Sequence, residues 1–132
     1  MFKHTLIASA AAVILAAAVP AQAKPMIQIP AQQITTSATT AQVQKCIVNA
    51  ALKKSWQIVE NKEGSLLIRY TRGPKWWVHV KVNYSNKEYR ISYVDSYGLD
   101  YKVKDGVPDI HRNYNRWILN LDKDIRVAIN QL

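Results

Sequence analysis

Between residues 55 and 95 the chain alternates four runs of strand-forming residues with three four-residue polar turns. Residues 55–60 (SWQIVE) lead into the turn at 61–64. Residues 65–71 lead into 72–75, residues 76–84 into 85–88, and residues 89–95 close the series. Turns this short cannot carry the chain over to a parallel neighbour, so successive strands pair antiparallel as a meander. Side chains alternate between the two faces of a strand. Leu66, Ile68 and Tyr70 therefore share a side, as do Trp76, Val78, Val80, Val82 and Tyr84, and Tyr89, Ile91 and Tyr93. A four-residue turn sets Tyr84 opposite Tyr89, which brings these sets onto one apolar face. The opposite face carries Leu67, Arg69, Thr71, Trp77, His79, Lys81, Asn83, Arg90, Ser92 and Val94, a mixture of basic, polar and aromatic groups.

A helix on either side of the meander supplies something to cover the apolar face. Residues 40–54 place Val43, Cys46, Ile47, Ala50 and Ala51 on one helical stripe, with Thr39 or Thr40 available as the N-cap. Residues 110–130 place Ile110, Tyr114, Trp117, Ile118, Leu121, Ile125 and Ile129 on another, with Asp109 as the expected cap. His111, Arg112, Asn115, Arg116, Asn120, Asp122, Lys123 and Arg126 fall off that stripe. One stripe per helix suits a one-sided contact. The expected architecture is thus an α+β two-layer sandwich: a four-stranded antiparallel meander with the N- and C-terminal helices on one face. Residues 96–108 are expected as a loop, with a short extended piece at 101–103.

The 132 residues suffice for one small domain. Residues 1–23 are not expected to belong to it. Lys3 and His4 form a short basic region, residues 6–19 are apolar, and Ala21-Gln22-Ala23 is a small-x-small cleavage site, which together read as a signal peptide. The apolar stretch is shorter than the roughly 20 residues that span a bilayer, and no later segment spans one. Cleavage after Ala23 would place the mature chain in the periplasm or outside the cell. Residues 24–38, with two prolines and no aromatic or acidic residue, are expected as a flexible lead, leaving 39–132 as a single α+β domain. Lys+Arg is 18 against Asp+Glu 9, a formal charge of +9. Losing Lys3 leaves an excess that favours an anionic partner, such as an anionic envelope component or an acidic protein surface. Export disfavours nucleic acid. Cys46 is the lone cysteine, so no disulfide closes within the chain, and its place on the helix stripe reads as a small buried hydrophobe.

Groups that could carry chemistry are few. His79 and His111 are the histidines outside the leader, and no spacing of His, Cys or acidic residues resembles a metal site or a nucleophile elbow. No glycine-rich phosphate loop occurs, so neither a catalytic set, a metal nor a cofactor is expected. Two surfaces stand out. The outward sheet face gathers Arg69, Trp77, His79, Lys81 and Arg90, a cation–aromatic composition typical of binding hot spots. The second is a loop–helix cleft formed by Asp95, Ser96, His111 and Asn115, with Asn113 and Asn115 expected to hydrogen-bond the loop at 95–101.

The segment 89–93 (YRISY), with Asp95, Ser96, Leu99 and Tyr101, and the helix 110–121 (IHRNYNRWILNL) resemble a family of small exported proteins and lipoproteins of Gram-negative bacteria. Trp56, Gly64, the alternating Val78, Val80 and Val82, and the I-H-x-x-Y-N-x-W-I helix carry the resemblance, across about residues 42–125. It implies a fold and a compartment, with no activity attached. This chain has Ala-x-Ala where the lipoproteins have a lipid-receiving cysteine. The reading that unites these features is a small, basic, soluble exported binding module. The alternatives are a hydrolase-like enzyme built on His111, Asp95 and Ser96, or a structural partner in envelope assembly.

Overall fold

The computed structural model describes residues 22–132. The expected signal peptide, apart from Gln22 and Ala23, lies outside the described residues. Among the described residues the fold is α+β, with two helices and two antiparallel sheets. In chain order the elements are β1 (Ala23–Pro25), β2 (Gln32–Gln33), α1 (Thr40–Lys53), β3 (Gln57–Lys62), β4 (Ser65–Arg72), β5 (Trp76–Tyr84), β6 (Glu88–Tyr97), β7 (Lys102–Lys104), β8 (Val107–His111) and α2 (Arg112–Asn130).

The meander is β3-β4-β5-β6, and on β4, β5 and β6 as far as Tyr93 the faces fall as parity demands. Leu66, Ile68, Val78, Val80, Val82, Tyr84, Tyr89 and Ile91 are buried, and they form one continuous core with both helix stripes. The architecture has more strands than the expected four, because the segments on either side of the meander also pair. β2 extends the large sheet, giving the order β2-β6-β5-β4-β3, and β1, β8 and β7 form a second, three-stranded sheet. Residues 24–38, expected as a flexible lead, supply β1 and β2. Met26 N donates to Pro108 O and Ile34 N to Lys87 O, while Ile34 is buried and Met26 and Ile29 pack on the core. Likewise the expected loop at 96–108 is the end of β6 followed by the β7–β8 hairpin.

Two boundaries move for local reasons. Helix α1 starts with a capping box between Thr39 and Gln42, as its sequence suggests. It ends with Ser55 at φ 69° and Trp56 N donating to Ala51 O, so Ser55 closes the helix and the strand begins at Gln57. Asp109 does not cap α2. It pairs with Pro25 and Lys102 inside the small sheet, and the cap is His111, whose Nδ1 accepts from Asn113 N at 3.1 Å. Gly98 is required just past the end of β6: at φ 78°, any Cβ would clash with the Lys75 carbonyl oxygen.

Asp122 is the one charged residue buried among the described residues. Tyr89 OH donates to its Oδ1 at 2.7 Å, and Arg126 Nε donates to Oδ2 at 3.2 Å. The carboxylate is thereby satisfied from both sides, as burial of a charge requires. At the other end of the core, Tyr70 lies 5.3 Å from Trp56 and 4.8 Å from Trp117, and Trp76 lies 6.0 Å from Trp117, centroid to centroid. Cys46 is buried on the α1 stripe, and that burial pushes its thiol upward, against a smaller lowering effect of Lys45.

Two expectations follow for stability. Trp117→Ala removes a buried ring touching two neighbours and should cost about 3–5 kcal/mol. Trp77→Ala, on the outward face, should cost about 1 kcal/mol or less. Chemical denaturation of the two variants checks the difference, and equal losses would contradict the strand register. Burial also pushes the phenols of Tyr89, Tyr114 and Tyr93 above the ordinary tyrosine value, with Asp122 adding to the effect at Tyr89. In the unfolded chain these phenols ionise near pH ~10. Their contribution is complete below that pH and is lost progressively above it. Alkaline titration of unfolding should show this fall, and Tyr89→Phe should make it shallower.

Candidate functional site

The outward face of the large sheet is crossed by rows of paired residues, and one row differs from the others. Gln57 pairs with Arg69, Arg69 with His79, and His79 with Asp95. His79 Nδ1 lies 2.7 Å from Asp95 Oδ1. Strict alternation would have turned Asp95 inward, on the side of Tyr93. A β-bulge intervenes: Val80 pairs with Tyr93 and His79 with Asp95, so Val94 is the extra residue. The bulge reverses parity for the remainder of β6, setting Asp95 beside His79 and Tyr97 opposite Trp77.

The adjoining row is Thr71, Trp77 and Tyr97. The Trp77 and Tyr97 rings are stacked at 6.3 Å and 17°, and Trp77 lies 5.0 Å from the His79 ring. The Arg69 guanidinium sits over the Trp77 ring at 4.7 Å, and its Nε donates to Thr71 Oγ1 at 3.2 Å. Among the described residues no carboxylate lies within ion-pairing distance of Arg69, since Asp95 is engaged by His79. The cluster therefore presents a guanidinium held in place but not neutralised, beside two aromatic rings and an oriented imidazole. Tyr97 is 59% exposed.

Of the residues singled out on this face, Arg69, Trp77 and His79 come together. Lys81 and Arg90 point the same way but stand apart. Lys81 lies one row on, between Leu67 and Ser92, and Arg90 lies two rows on, opposite Asn83. Each row is about 7 Å from the next. Nor is the face uniformly basic. Glu60 and Glu88 share its parity with Asp95, and Glu60 lies 4.0 Å from Lys62.

The expected loop–helix cleft does not assemble. Asp95 is on the outward face. Ser96 pairs with Val78 on the inward side, and its hydroxyl is 2.7 Å from Tyr93 OH. His111 caps α2 and lies 5.0 Å from the Trp76 ring. Asn115 does not bond the loop at 95–101. It clasps the N-terminal segment, accepting from Ile27 N at 2.9 Å and donating to Pro25 O at 3.0 Å. Asn113 accepts from Arg116. The loop is held instead by buried Leu99, whose carbonyl accepts from His111 N, and by Tyr101 stacked 4.4 Å from Tyr93. Among the described residues there is no group of three His, Cys, Asp or Glu side chains placed to hold a metal ion, and no helix long and apolar enough to cross a membrane.

Asp95 and Tyr97 enter the sheet-face cluster only through the bulge, which no residue of the sequence announces. No family model, curated protein or solved structure matches the chain.

An ionised carboxylate only accepts hydrogen bonds, so the neutral His79 ring carries its proton on Nδ1 and turns Nε2 away from Asp95. Long-range 15N–1H correlation should show the Nδ1–H tautomer for His79 in the native protein. Asp95→Ala should shift the ring toward the Nε2–H form.

Proposed function

We propose that this protein is an exported binding module, acting in the periplasm or beyond the cell, that uses the outward sheet face to recognise an anionic saccharide of the envelope. The observation that carries the reading is Arg69: a guanidinium braced by Trp77 and Thr71, without a carboxylate partner, next to exposed Tyr97. The exposed Tyr97 ring, backed by Trp77, offers an aromatic surface to a sugar ring. A braced arginine offers two parallel donors to a carboxylate or phosphate group on that ring. His79, oriented by Asp95, adds a donor or acceptor at Nε2. Such a ligand is bound by geometry at one cluster rather than by diffuse charge, which suits a face where acidic and basic residues alternate. The leader at 1–23 and the resemblance to exported Gram-negative proteins support the compartment.

Retention on an immobilised acidic polysaccharide, with alginate and heparin as probes, tests this reading. Arg69→Gln and Tyr97→Ala should each weaken retention by roughly tenfold, the cost of losing one hot-spot contact, with unchanged far-UV circular dichroism. Lys102→Gln paired with Lys104→Gln, on β7 of the other sheet, removes more charge and should matter less. If the β7 pair lowers retention as much as Arg69→Gln does, bulk charge explains the binding and the site is wrong.

A further inference from the structure

The excess positive charge is not spread evenly over the fold. Helices α1 and α2, with the cap residue Lys54, carry Lys45, Lys53, Lys54, Arg112, Arg116, Lys123 and Arg126 against only Asp122 and Asp124. Neither carboxylate is a free surface charge. Asp122 is buried and bonded to Tyr89 and Arg126, and Asp124 lies 3.6 Å from Lys54 Nζ. The other seven acidic residues all lie on strands or the turns between them. α1 and α2 lie side by side and bury their stripes on the same sheet face, so their exposed sides form a single layer opposite the saccharide cluster. Large apolar side chains interrupt the cations there: Leu52 is 54% exposed, and Leu119 and Val127 are each 47% exposed. Along α2 the exposed positions Arg112, Arg116, Leu119, Lys123 and Arg126 recur at helical spacing on one side.

We infer that this helix layer docks on the surface of an anionic phospholipid bilayer. A layer with unpaired cations and no free carboxylate complements a negatively charged headgroup surface. The interspersed leucines and valine select a bilayer over a dissolved polyanion, because only a bilayer offers both headgroup charge and an apolar boundary for such side chains to enter. The helices keep their core stripes buried, so docking requires no unfolding. This inference concerns a different surface from the saccharide cluster and does not depend on it.

The test is co-sedimentation with vesicles of equal parts phosphatidylglycerol and phosphatidylcholine, with pure phosphatidylcholine as reference. The native chain should bind the anionic vesicles and not the neutral ones. Each cation near such a surface contributes about fivefold. The variant with Lys53→Gln, Arg116→Gln and Lys123→Gln should therefore lose about a hundredfold in partitioning. A variant with Lys87→Gln, Lys102→Gln and Lys104→Gln, of equal net charge, should lose far less. Leu119→Ser together with Val127→Ser should weaken vesicle binding while leaving retention on heparin unchanged. Equal loss from the two triple-glutamine variants, no binding by the native chain, or no effect of the serine pair would each overturn the inference. Saccharide retention measured on the same variants keeps its outcome separate from that of the sheet-face reading.

Discussion

One-sided coverage of the meander is the constraint on which the rest of this structure depends. β5 lies inside the large sheet and buries Val78, Val80 and Val82 completely on its inward side. Every neighbouring strand must match that parity, since a one-residue slip would exchange the core face for the solvent face. Once both helices occupy the inward side, the outward side is left for groups the core does not need. The cluster of Arg69, Trp77, His79, Asp95 and Tyr97 exists because, among the described residues, both helices lie on the other side of the sheet.

Polar contacts secure the layers at points where apolar packing alone leaves choices open. Tyr89 on β6 reaches Asp122 on α2, and Arg126 completes the contact one helical turn later. Breaking a buried, fully bonded carboxylate by removing one partner is costly, which ties α2 to a single position over the sheet. Asn115 does a similar task for the N-terminal segment, meeting both a donor and an acceptor of its backbone. These contacts link elements far apart in sequence, the bonded residues being 33 and 88 positions apart.

The same arrangement polarises the surface. Burying Asp122 and pairing Asp124 with Lys54 leaves the helix layer without a free side-chain carboxylate. The acidic residues of the strands, by contrast, remain among cations on the sheet side. Two surfaces of different chemistry result: one locally structured, with a braced arginine and stacked rings, the other broadly cationic with exposed aliphatic side chains.

The meander, both helices, their buried stripes and the inward parity of β4, β5 and β6 as far as Tyr93 are legible in the chain, except that Ile110, read with the last helix, belongs to β8. These follow from local periodicity, short turns and capping residues, which require no knowledge of distant partners. The sequence also pointed to Arg69, Trp77 and His79 as neighbours, because parity and hairpin register bring them together. Tertiary structure alone decided the remainder. β1 contains Pro25 and β2 is a pair of glutamines close after Pro30, and they become strands only because sheet edges and Asn115 satisfy the backbone of this segment. Asp109 is drawn into β8 by pairing, which leaves the helix cap to His111. Asp122 lies beside the apolar stripe rather than on it, and its burial depends on Tyr89, 33 positions away. The bulge at Val94 reverses the parity of Asp95 and Tyr97, so a period of two read along β6 sends both to the wrong side. In each case the deciding partner lies far along the chain or in the backbone geometry, where local pattern carries no signal.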